Sequence, residues 1–130
     1  MITSLFASLL AFLYFKMSVD TIKARRKNKI SLGNGTNNEI EKYVSAHSNF
    51  AAYTPILLIL CFLMESSDQY DPAVVYILAA LFTIGRTLHY LGLTSKKMNF
   101  KLRVSGMMLT LIPLNIMAIL NIIAVVKMRL

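Results

Sequence analysis

In the stretch "IGRTLHYLGL", Arg86, His89 and Tyr90 fall at i, i+3 and i+4, with Leu93 at i+7. At helical spacing a guanidinium, an imidazole and a phenol then share one face of an otherwise apolar segment. Arginine stays charged when partly buried and forks onto carboxylates and phosphates with parallel N–H bonds. The set reads in two ways: as a holder of an anionic ligand, or as a structural network that meets a lipid phosphate or Asp20. A second group lies in "AHSNFAAYTP", where Asn49 and Tyr53 share a face and His47 sits about half a turn back. Pro55 lacks an N–H and crowds the carbonyl of Ala51, which predicts a kink opening a polar wedge between helices.

The remaining polar groups in apolar surroundings have plainer readings. Lys16 and Asp20 lie four residues apart, so they form a local ion pair with Lys16 reaching toward an interface, or Asp20 meets a cation from another helix. Asn115 and Asn121 read as interhelical hydrogen-bond formers. Cys61, the one cysteine, lies within an apolar run and reads as a small buried hydrophobe. It permits no internal disulfide, and no spacing of His, Cys, Asp or Glu fits a metal site. Together, basic groups at one side and access from hydrocarbon suit the joining of a charged, water-soluble molecule to a lipophilic one.

Four apolar segments must position these groups, at about 2–21, 47–64, 73–91 and 104–126. Each is near the roughly 20 residues a bilayer requires. Of the 130 residues, 56% are hydrophobic and 15% charged, against about a quarter charged in soluble domains. The fold class is an all-α integral membrane protein, a single four-helix bundle over residues 1–130. The first segment lacks the positive flank of a signal peptide and reads as a retained span. "GNG" at 33–35 marks a turn with positive φ, after which Glu39–Ser45 rises as helix into the second span. No period-2 alternation supports a membrane barrel.

The net charge of +8 does not point to nucleic acid, because the basic residues lie in the connections between spans. Lys23, Arg25, Arg26, Lys27, Lys29 and Lys42 fall in the first connection, and Lys96, Lys97, Lys101 and Arg103 in the third. "ESSDQYD" between spans two and three has neither Lys nor Arg. The positive-inside rule then places loops 22–46 and 92–103 in the cytoplasm and both termini outside, against the weaker pull of Lys127 and Arg129.

"EKYVSAHSNFAAYTP", "GRTLHYLG", "RVSGMMLT" and "FKMSVD" resemble, in order and over nearly the whole chain, the membrane-associated proteins in eicosanoid and glutathione metabolism (MAPEG), especially small bacterial members. The resemblance implies a homotrimer, in a bacterial inner membrane, with glutathione as co-substrate held between subunits near the cytoplasmic side. It implies glutathione transfer to lipophilic electrophiles or peroxide reduction, or, in the family's non-catalytic branch, binding of a lipid or a partner in the same cleft. By motif, Asn49 and Tyr53 would touch glutathione, and Arg86 would hold its carboxylates with His89 and Tyr90 alongside. Arg25 or Arg26 would add a cationic contact, and Arg103 would face the thiol sulfur. Two positions depart from the family pattern: Ala52 stands where a glutamate is usual and Ser45 where an arginine is common. Each missing charge-assisted contact is worth about 1.5–3 kcal/mol, so weaker glutathione binding is expected.

Overall fold

The computed structural model describes residues 1–33 and 36–129. They form four helices: α1 (Ile2–Asn28), α2 (Asn38–Ser67), α3 (Pro72–Thr94) and α4 (Phe100–Arg129). All four are long and apolar enough to cross a membrane, and no strand occurs among the described residues. The helices outrun the apolar segments because polar caps extend them. The Asn37 side chain accepts hydrogen bonds from Glu39 N (2.9 Å) and Ile40 N (3.1 Å), and Glu39 and Glu41 complement the positive end of the α2 dipole. Asp71 caps α3 through Ala73 N at 2.8 Å, ahead of Pro72, which needs no N–H partner in the first turn. α1 ends in Arg25, Arg26 and Lys27, with Lys29 left-handed at φ 54°.

Gly33 has φ 66°, the positive value expected of that turn; Asn34 and Gly35 lie outside the described residues. α2 continues through Pro55, and α4 through Pro113, so neither proline breaks its helix.

Short connections make the helices alternate in direction, and cross-bundle bonds fix the far end. Glu65 of α2 accepts from the backbone N–H of Ile2 (2.8 Å) and Thr3 (3.0 Å), satisfying donors that the first turn of α1 leaves free. Tyr70 donates to the Leu120 carbonyl at 2.6 Å, and Asn121 to the Leu60 carbonyl at 3.1 Å. Asn121 is thus the interhelical link expected of it. Asn115 is not: it is exposed and donates to Leu111 of its own helix, because it faces away from the other three.

Phe6, Leu10, Phe50, Leu57, Cys61, Met64, Phe82 and Met117 form the core. Cys61 is fully buried, as expected, and accepts a hydrogen bond from Thr3 Oγ1 at 3.3 Å. Outward-facing Phe12, Phe15 and Ile122 are 73%, 68% and 65% exposed, which hydrocarbon tolerates and water does not. α3 and α4 touch along glycines. A Cβ added to Gly85 would lie 2.8 Å from the Leu109 carbonyl carbon, and one on Gly106 would strike the backbone N of His89. Small residues give membrane helices this close approach. Here it draws the start of α4 onto the end of α3, where the polar residues gather.

Candidate functional site

At the end of the bundle where α2 and α4 begin and α3 ends, a cleft of about 520 Å³ opens between these three helices. Asn38, Glu41, Lys42, Ser45 and Asn49 line it from α2, His89 and Leu93 from α3, and Arg103 and Met107 from α4. The same end carries the basic connections, so the cleft sits at the electropositive end of the molecule. Ser45 lies on its wall, with no cation of its own to offer.

Behind the cleft lies Arg86, 2% exposed within a membrane-crossing helix. A buried guanidinium needs its donors filled. Nε donates to Thr110 Oγ1 (2.8 Å), Nη1 to Asn49 Oδ1 (2.5 Å) and Nη2 to Met107 Sδ (3.3 Å). The rings of Tyr53 and Phe82 lie 5.5 and 5.8 Å from its central carbon, within cation–π range. Asn49 and Tyr53 therefore share a face, and that face meets Arg86. Asn49 alone of the two also lines the cleft, so it connects the buried charge to the opening.

His89 and Arg103 meet through the chain of α4: His89 Nδ1 lies 3.1 Å from the Arg103 carbonyl. A carbonyl only accepts, so Nδ1 carries the proton. Gly92 keeps this junction tight, since a Cβ there would stand 2.6 Å from Arg103 N. The Arg103 side chain is exposed, and among the described residues its one hydrogen bond is to the Met98 sulfur at 3.6 Å. Its guanidinium is available to a ligand.

The other candidate residues lie elsewhere in the chain. Tyr90 is buried on the side of α3 that meets α1 and donates to the Asp20 carboxylate there. Lys16 donates to the same carboxylate at 2.5 Å, which is the local pair expected, with a phenol rather than a cation arriving from the neighbouring helix. Arg25 and Arg26 border a separate recess of about 310 Å³ at the end of α1, with Ile22 and Lys29. There Arg25 Nη1 is drawn back onto the Gly33 carbonyl at 2.6 Å. His47 turns toward α1, 3.0 Å from Ser18 Oγ and with its ring centroid 4.6 Å from that of Tyr14 at a tilt of 41°, and it does not line the cleft. Sequence reasoning missed Thr110, Met107 and the glycine contacts. The last had a signal: Gly85 and Gly92 lie seven residues apart, on one face of α3.

Four membrane-crossing helices with a polar cleft at their basic end define an all-α integral membrane protein whose site is built on helix ends. The chain belongs to the MAPEG family, whose pattern matches residues 3–123. It is 31% identical over 121 residues to Inner membrane protein YecN of Escherichia coli K12, covering 93% of this chain and 90% of that protein. The same values hold for Inner membrane protein YecN of Escherichia coli O6:H1.

Proposed function

We propose that the protein is a membrane-bound glutathione transferase or peroxidase acting on lipophilic electrophiles, from a cleft on the cytoplasmic side of an inner membrane. The observation that carries this reading is that Asn49, His89 and Arg103, distant in sequence, line one cleft, with Arg103 exposed and without an ion-pair partner among the described residues. In transfer, the glutathione thiol loses its proton to solvent. The thiolate sulfur then attacks the electrophilic carbon, forming a C–S bond as the leaving group departs with its electron pair. A guanidinium near the sulfur favours the thiolate, the reactive form, without itself exchanging a proton. Tyr53 and Arg86 act from behind the cleft by holding Asn49 in place. Arg25 and Arg26 lie outside the cleft of their own chain; in a homotrimer they would reach a neighbour's.

Calorimetry of the detergent-purified protein with glutathione, alongside turnover of a generic aryl halide, tests the proposal. Binding and conjugation at millimolar glutathione are expected, and a carboxylate added by Ala52→Glu is expected to tighten the binding. A second reading, a non-catalytic member holding a lipid or partner, is favoured by Ala52 and by the internal engagement of all three Arg86 nitrogens. No heat and no turnover would select it.

A further inference from the structure

We infer that Glu41 and Lys42 make the cleft selective for a zwitterion, a peptide-like ligand bearing both an ammonium and a carboxylate. The inference rests on the glutathione reading above and names two residues that reading does not use. Asn38, Glu41, Lys42, Ser45 and Asn49 recur along α2 at i, i+3, i+4, i+7 and i+11, a polar stripe on one face that the cleft collects. Arg103 faces it from α4.

Three of these groups are charged, and none has an ion-pair partner among the described residues. The pairs there are Met1–Glu65, Lys16–Asp20 and Lys27–Glu39. Glu39, two residues before Glu41, is held by Lys27 at 3.0 Å and by Asn28 at 3.2 Å. Among the described residues Glu41 has no such partner, and the one hydrogen bond of the Lys42 side chain there is to the Ser95 carbonyl, at 3.5 Å. Two cations and one carboxylate thus line the same opening without neutralising one another. A simple anion would meet Lys42 and Arg103 but be repelled by Glu41, and a simple cation would meet two like charges. A ligand whose carboxylate meets Lys42 and Arg103 while its ammonium meets Glu41 answers all three. Glu41 and Lys42 lie in the polar opening turns of α2, where a water-soluble ligand has access.

The test compares glutathione with its des-amino analogue, in which hydrogen replaces the ammonium, by calorimetry on the detergent-purified protein. The wild type is expected to prefer glutathione about tenfold. Glu41→Gln should abolish that preference while leaving affinity for the analogue undiminished, and Glu41→Asp should keep it. Lys42→Gln should weaken both ligands alike. Glu41 is exposed, so these variants should elute as the wild type does. Equal binding of both ligands by the wild type, or a preference that survives Glu41→Gln, would overturn the inference and leave the glutathione reading standing. Binding of neither ligand would overturn both. Loss of glutathione binding in phosphatidylethanolamine nanodiscs, but not in phosphatidylglycerol ones, would assign the zwitterion site to a lipid headgroup and overturn the peptide assignment.

Discussion

Arg86 on α3 and Asn49 on α2 are joined by a hydrogen bond of 2.5 Å from Nη1 to Oδ1, and Asn49 is the member of that pair that also reaches the cleft. The bond ties the one fully buried guanidinium among the described residues to the wall of the candidate site. The buried charge and the wall of the cleft are therefore coupled through one amide.

Removing the acceptor should show this coupling. Asn49→Ala leaves an Arg86 donor unfilled in a buried setting, which costs about 1–3 kcal/mol. A fall of several degrees in the thermal midpoint is expected in detergent, together with weaker glutathione binding. Asn49→Asp keeps an oxygen facing Nη1 and should retain most of the midpoint. An unchanged midpoint in Asn49→Ala would show that the bond contributes nothing to stability.

The close seam between α3 and α4 makes a sharper structural prediction. A methyl on Gly106 strikes the His89 backbone, which cannot swing aside as a side chain can. Gly106→Ala should destabilise by about 1–3 kcal/mol through overpacking. The neighbouring, exposed Ser105→Ala should stay within about 0.5 kcal/mol of wild type. Thermal unfolding of the two variants side by side checks this. Equal midpoints would remove the glycine argument.

Much of the fold was legible because hydrocarbon imposes a length: four apolar runs near 20 residues leave little choice but four spanning helices. The starts of α2 and α3 were legible to within a residue, but α1 runs on to Asn28 and α4 begins at Phe100, in polar sequence that hydropathy assigns to connections. The site was half legible. His89 and Tyr90 were grouped on one face, yet successive helical residues are about 100° apart. On a helix packed against all three others, that angle sends His89 to the cleft and Tyr90 to Asp20 on α1. Glu41 and Lys42 fall within the helix read over Glu39–Ser45, yet nothing in the sequence shows that the face they share with Asn49 meets Arg103 of α4.

That division of α3 predicts different outcomes for adjacent residues. Tyr90→Phe removes a donor to Asp20 and should cost about 0.5–1.5 kcal/mol of stability. Because Tyr90 faces α1, glutathione affinity should stay within about twofold of wild type, below the 1.4 kcal/mol that marks a tenfold change. His89→Ala, on the cleft side, should weaken binding measurably. Calorimetry and thermal unfolding of both variants separate the effects. A large loss of affinity in Tyr90→Phe would place that phenol at the ligand after all.

Arg103 offers a prediction in pH. A free thiol titrates near 8.5, and a guanidinium beside the sulfur stabilises the thiolate and so lowers that value. Below the thiol's pKa the thiolate fraction falls about tenfold per pH unit, so a cation that lowers the pKa raises the rate most at neutral pH. Arg103→Ala should therefore cut aryl halide conjugation about tenfold at pH 7 for each unit of pKa restored. The loss should close as pH rises past 9, where the thiol ionises without help. Arg103→Lys keeps a cation and should retain much of the neutral rate. Rates measured from pH 6 to 10 at saturating glutathione check this. A uniform loss at every pH would instead make Arg103 a residue that positions the thiolate without shifting its pKa, and no loss at all would remove it from the chemistry.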